Sequence, residues 1–159
     1  MLTRRTALSG LAAMASANLL ASRAARAQEG YVVRTDADWR STLTPDQYAV
    51  LRKEGTERPF TSPLLHEERK GIFACAGCGL DAFSSSAKFD SGTGWPSFWA
   101  PLDNAVDNHV DNSWGMSRTA VSCHRCEGHL GHVFDDGPKP TGLRYCMNGV
   151  ALTFKPATA

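Results

Sequence analysis

Five cysteines are distributed so that four of them pair off and one is left over. Cys75-Ala76-Gly77-Cys78 and Cys123-His124-Arg125-Cys126 are two Cys-x-x-Cys knuckles. Together they supply four thiolates, the donor set of a tetrahedral structural zinc, and two paired knuckles favour a metal over disulfides or a redox dithiol. Four protein ligands leave the metal no open position, so one Zn2+ per chain would act structurally, clipping the 44 residues between Cys78 and Cys123 into a closed loop. Gly77 and Gly79 are expected to take the positive φ angles that turn backbone amides toward the sulfurs. His124 lies inside the second knuckle and, with four thiolates available, is expected beside the metal or at the surface rather than on it.

The fifth cysteine sits in Gly142-Leu143-Arg144-Tyr145-Cys146-Met147-Asn148. If this stretch is a strand, Arg144, Cys146 and Asn148 share one face while Tyr145 and Met147 point the other way. A thiol between a cation and an amide is either a buried structural cysteine or a nucleophile. His129 and His132, three residues apart with Asp136 just behind, supply the partner that thiol chemistry needs. A histidine serves as acid or base near neutral pH, and a carboxylate can fix its ring. Trp95 belongs to Phe89-Asp90-Ser91-Gly92-Thr93-Gly94-Trp95-Pro96-Ser97-Phe98, a glycine-punctuated loop suited to presenting an indole to a ligand.

The elements that must hold these groups fall into two textures. Thr35 to Trp39 can open a short helix, and Thr44-Pro45-Asp46-Gln47 gives a cap, a proline at the first helical position and a capping-box glutamine. Tyr48, Val50 and Leu51 follow, and Gly55 closes that helix. A further short turn is expected at Ser62-Pro63-Leu64-Leu65. From Gly71 onward, short apolar or alternating runs broken by Gly, Pro, Ser and Asn predict strands at 72–75, 82–84, 98–101, 105–111, with Val106 and Val110 facing inward, 117–123 and 143–154. The chain thus reads as helical at its start and antiparallel β afterwards, with residues 28–70 as a lead-in packed on a β domain spanning 71–159.

At 159 residues, 42% hydrophobic and 21% charged, the composition favours neither disorder nor a multi-span membrane protein, and the length suits one domain. Residues 1–27 carry Arg4, Arg5, Arg23 and Arg26 and no acid. Their order of twin arginine, small apolar run and Ala25-Arg26-Ala27 site predicts a cleaved export signal of the twin-arginine type, too short and too weakly apolar for a membrane span. Removing it takes the formal charge from +1 to −3. A mildly acidic mature domain is a poor partner for nucleic acid, whose binding rests on Lys and Arg, and no stable membrane association is expected after cleavage. Export in a folded state, toward the periplasm, suits a domain that must take up zinc before it leaves a reducing compartment.

The run from Gly71 to Phe154 resembles the B-type methionine sulfoxide reductases. The resemblance is carried by the paired knuckles, Ser91-Gly92-Thr93-Gly94-Trp95-Pro96-Ser97-Phe98, His129-Leu130-Gly131-His132-Val133-Phe134 and Gly142 to Asn148. It implies a mainly β fold, a small zinc-containing domain of two antiparallel sheets with short N-terminal helices. It also implies reduction of the R epimer of methionine sulfoxide, protein-bound and possibly free, with repair of oxidised exported proteins as the purpose. Cys146 would be the nucleophile and end as a sulfenic acid. Arg144 and Asn148 would favour the thiolate or place the substrate. His129 or His132 would protonate the sulfoxide oxygen, with Asp136 and Asn148 orienting the donor or a water. Trp95 would receive the ε-methyl group.

Many members of that family carry a second cysteine in the loop before Trp-Pro, and here the position holds Thr93. With the other four cysteines committed to zinc, the sulfenic acid is reduced from outside, by a thioredoxin-like protein or a small thiol, or else by a knuckle cysteine at the cost of the metal, and the external reductant is the expectation. Trp114 and Gly149 to Leu152 also depart from the family's usual residues. The alternative of another class is a non-catalytic zinc-ribbon interaction module, which explains the knuckles but not the setting of Cys146.

Overall fold

The computed structural model describes Arg26 and residues 30–158. The expected export signal falls almost wholly outside the described residues. The chain divides after Val33, and every element below lies in the unit from Arg34 onward. Among the described residues no helix is long and apolar enough to cross a membrane.

Two capped helices come first. In α1 (Asp36–Thr42) the Thr35 side chain accepts from the Asp38 amide and Asp38 returns the bond to the Thr35 amide. In α2 (Pro45–Lys53) Thr44 and Gln47 do the same, with Pro45 at the first position, where its missing N–H costs nothing. Trp39 from α1 and Tyr48, Val50 and Leu51 from α2 are buried. The α2 face packs on the strand that carries the histidines and on a 3-10 turn at Gly149–Ala151. A 3-10 turn at Pro63–His66, capped by Ser62, completes the lead-in.

Nine strands follow: β1 (Gly71–Cys75), β2 (Asp81–Ser84), β3 (Lys88–Phe89), β4 (Ser97–Phe98), β5 (Val106–Asp111), β6 (Arg118–Cys123), β7 (His129–Phe134), β8 (Arg144–Met147) and β9 (Leu152–Pro156). They form an antiparallel sheet of order β2-β1-β9 and a second of order β3-β4-β8-β7-β6-β5, matching the expected mainly β fold of two antiparallel sheets. Aromatic rings from both fill the core. Phe83 stacks on Phe98 at 4.5 Å, Phe73 meets Phe98 and Phe154 at 5.0 Å, and Tyr145 lies 5.9 Å from Phe83. Each such pair contributes about 0.5–1.5 kcal/mol beyond the burial of its area. Tyr145 and Met147 are buried while Arg144 and Cys146 are half-exposed, so the alternation expected of this strand turns its thiol to the opposite face.

The expected strand at 98–101 is only Ser97–Phe98, and three further differences have physical causes. Residues 143–154 are not one strand: β8 ends at Met147 and the chain crosses through the Gly149–Ala151 turn into β9 of the other sheet. The break is set by the Glu57 carboxylate, which accepts from the amides of Gly149 and Val150 and removes them from any ladder. Val106 and Val110 do not face the core, because β5 is the outer strand of its sheet and leaves Val106 half-buried and Val110 69% exposed. Finally, 129–134 is a strand that the pattern did not announce, since two histidines and a glycine interrupt its apolar residues. Gly131 is required there: a Cβ would lie 2.1 Å from the Cys146 carbonyl oxygen.

Candidate active site

The four knuckle thiols converge, with all sulfurs within 4.8 Å of one another, Cys75 to Cys126 at 3.6 Å and Cys78 to Cys123 at 3.5 Å. A tetrahedron with metal–sulfur bonds of about 2.3 Å has edges of about 3.8 Å, so the cluster fits a zinc ion held by four thiolates. The two knuckles are built alike. Cys75 N donates to Leu80 O and Gly79 N to Cys75 O, while Cys123 N donates to Gly128 O and Glu127 N to Cys123 O, all at 2.8 Å. The left-handed residue is Gly79 in one (φ 73) and Glu127 in the other (φ 58). Gly77, expected to share that conformation, does not, and a Cβ there would make ordinary contact with the Cys126 sulfur at 3.5 Å. His124 turns its Nδ1 to Asp107 at 3.0 Å, the surface placement expected of it.

Cys146 is placed by register. It lies opposite Ser97 on β4 and opposite His132 on β7, and opposed residues point to the same face. Its side chain opens on a cavity of about 180 Å³ lined by Trp95, His132, Asn148, Thr56, Arg118 and Phe134. The last three were not singled out from sequence, because nothing in their spacing connects them to Cys146. Thr93, the position at which the resemblance leads one to expect a second cysteine, has its Oγ1 3.8 Å from the Cys146 sulfur. Burial pushes the thiol above its ordinary value, against the pull of Thr93, Arg144 and Ser97. Arg144 does not reverse this, because its fork is given to Asp136 in two bonds of 2.8 Å and its plane covers Phe134 at 4.4 Å.

The histidines share a face only because of an irregularity. Three residues apart on a regular strand, they would point to opposite sides. The register shift between Val121 and Ser122 places His129 opposite Ser122, and the two rings meet edge to face at 5.2 Å. His132 Nε2 lies 2.8 Å from Asp111 Oδ2, which also takes the Arg118 guanidinium at 2.7 Å. Ser113, through its side chain and its amide, holds the Asp111 carboxyl well below the usual carboxylate range. The expected orienting acid, Asp136, is thus not on a histidine: it lies beyond the end of β7 against Arg144, while Asp111 reaches His132 across β6 from 21 residues away. Sequence spacing gives no signal for that pairing.

His129 is buried, and neither ring nitrogen has a protein partner among the described residues. Burial first, then repulsion from His132 and His109, lowers its pKa to about 4, so it is neutral near pH 7. Asn148 is buried as well, its Oδ1 accepting from Glu57 N at 3.0 Å and its Nδ2 donating to Leu130 O at 3.1 Å. The amide locks backbone rather than turning freely to the thiol. Trp95 donates Nε1 to Glu57 O at 3.1 Å. Glu57 therefore ties the indole, Asn148 and the turn after β8 to one backbone segment, a hub that sequence inspection missed because each of its bonds spans 38 residues or more.

Residues 43–156 match the family model of the SelR domain. The chain is 54% identical to a peptide methionine sulfoxide reductase MsrB of Agrobacterium fabrum over 79% of its own length and 93% of the relative's. It is 55% identical to the protein of that name from Methanosarcina mazei over 77% and 89% of the two chains, and 56% identical to that from Thiobacillus denitrificans over 77% and 94%. With a thiol, a histidine and an indole gathered around one small cavity, and relatives matched over most of their length, the chain belongs to the SelR family of peptide methionine sulfoxide reductases.

Proposed function

We propose that this chain reduces the R epimer of methionine sulfoxide in oxidised peptides and proteins, with Cys146 as nucleophile. The observation that carries the reading is the Cys146 thiol facing His132 across β7–β8 in a cavity that Trp95 also lines, sized for one side chain. Cys146 sulfur attacks the sulfoxide sulfur and the oxygen passes to it, so that Cys146–SH and the sulfoxide become Cys146–SOH and the thioether. His132 supplies the proton that makes the sulfoxide sulfur electrophilic. With Nε2 turned to Asp111, Nδ1 is the atom left to give that proton up. The Trp95 ring takes the S-methyl group. Fixing methyl, oxygen and main-chain directions at a pyramidal sulfur admits one epimer, and the R epimer is the one this reading assigns.

Because burial raises the resting thiol, proton transfer and attack are best coupled, the departing thiol proton replacing the one given to oxygen. Asp136 acts through Arg144, holding it against Phe134 at the cavity wall. His129 acts as a neutral, buried neighbour that keeps His132 in place. The four knuckle cysteines would hold one Zn2+, which supplies cross-linking and no open coordination position. Residues 1–27 would direct export by the twin-arginine route, placing the activity among periplasmic proteins exposed to oxidants, with a thioredoxin-like protein or small thiol as reductant.

The test is turnover of the two epimers of a blocked methionine sulfoxide with dithiothreitol, comparing the protein with Cys146→Ser. R-epimer activity lost in the variant with zinc retained is the expected result. Zinc retained with neither epimer reduced would leave a binding module. Export is tested by fractionating cells producing the full chain or its Arg4→Lys, Arg5→Lys form, and equal export of both would remove the twin-arginine route.

A further inference from the structure

Three hydroxyls form a chain behind the nucleophile. Ser91 Oγ lies 2.8 Å from Thr93 Oγ1 and 2.7 Å from Ser97 Oγ. Ser97 is fully buried opposite Cys146 and donates to the Trp95 carbonyl at 3.2 Å. Thr93 Oγ1 reaches the Cys146 sulfur at 3.8 Å, within hydrogen-bond range for sulfur. Each hydroxyl has one proton to place, and the Trp95 carbonyl at the far end can only accept. With Cys146 as thiol, S–H points to Thr93, Thr93 to Ser91, Ser91 to Ser97 and Ser97 to the carbonyl. When Cys146 loses its proton, Thr93 turns its own onto sulfur, and Ser91 can donate to Thr93 in its place. Both arrangements leave every proton with an acceptor, and they differ only by rotation about C–O bonds.

We propose that Ser91, Thr93 and Ser97 are positioning residues, a hydroxyl relay through which Thr93 donates to the Cys146 thiolate and, after oxygen transfer, to the sulfenic oxygen. A half-buried sulfur anion needs such a donor. The inference rests on Cys146 being the nucleophile, and it gives Thr93 a role in place of the absent cysteine. Thr93 cannot form a bond to sulfur, so the oxidised state is held rather than closed. An incoming thiol R–SH then attacks Cys146–SOH, giving the mixed disulfide Cys146–S–S–R and water. A second R–SH releases Cys146–SH and R–S–S–R, which balances atoms and electrons.

The experiment is the pH dependence of Cys146 alkylation by iodoacetamide in the zinc-loaded protein, with Cys146→Ser as the blank. Thr93→Val keeps the shape and removes the donor, and Thr93→Ser restores it. The expected result is a midpoint moved to higher pH in Thr93→Val, with alkylation at neutral pH slowed about tenfold. Thr93→Ser should follow the native profile, and Ser91→Ala should show a smaller shift. A Thr93→Val profile identical to native overturns the relay. Should that variant lose zinc, an unmoved Ser91→Ala profile overturns it instead. Since no substrate is involved, a protein that reduces neither epimer but shifts as described would sink the catalytic reading alone.

Discussion

The four knuckle cysteines and Cys146 are the same residue type in two differently made environments. The knuckles are local, two hairpins with the same pair of 2.8 Å bonds, each complete within six residues, brought together by their sulfurs. The Cys146 face is assembled from a distance. Ser97, Cys146 and His132 come from three strands, Asp111 from a fourth and outer one, and the loop at Glu57 fastens Trp95 and Asn148 behind them. On the proposed reading, a motif written in consecutive residues would keep the fold closed, whereas a site written in strand register would carry the chemistry. The two regions should therefore fail differently when damaged.

The largest contrast is expected from Cys78→Ser or removal of zinc by a chelator. Either should melt the domain in a thermal scan, since structural zinc binding is worth on the order of 10 kcal/mol and is folding free energy here. Cys146→Ser should instead leave the melting temperature within a few degrees while abolishing turnover. Equal loss of structure in both would erase the distinction.

Within the Cys146 face, Asp111→Asn and Asp136→Asn sharpen it. If Asp111 orients the proton donor, Asp111→Asn should lower kcat about 100-fold with little change in KM. Asp136→Asn should act mainly on KM, by about 3- to 10-fold, through the freed Arg144. Interchanged effects would restore the carboxylate that the sequence suggested. Next, Glu57→Gln weakens the capture of the Gly149 and Val150 amides and should cost about 1–3 kcal/mol of stability, read from denaturant unfolding.

The last prediction concerns pH. His129 has a folded pKa of about 4, below its ordinary 6.5, so between these values the unfolded chain binds a proton that the folded chain excludes. Its contribution to stability is complete above pH 6.5 and is lost as pH falls toward 4. His129→Gln, which cannot charge, should lose less stability than the native protein over that window. Parallel loss in both would show that His129 does not set the acid sensitivity.

What the sequence disclosed follows the same division. The short helix opening at Thr35, the capping box at Thr44, the two knuckles and the alternation around Cys146 are short-range patterns, and each appears where it was read. The histidine strand, the break after Met147 and the His132–Asp111 pair depend on a bulge, a captured pair of amides and a register across β5 to β7. None of these leaves a mark in the spacing of residues. Asp136 was the natural choice for an orienting acid because it is near His132 in the chain, and Asp111 holds the place because it is near in space.

The most direct test of Cys146 as the oxygen acceptor is a single turnover without reductant. Mixed with excess R-methionine sulfoxide peptide, the zinc-loaded protein should release one equivalent of methionine peptide per chain and stop. Mass analysis should then find one added oxygen on Cys146 alone, trapped by dimedone and reversed by dithiothreitol. Methionine formed with Cys146 unmodified, or oxygen found on a knuckle cysteine, would contradict it.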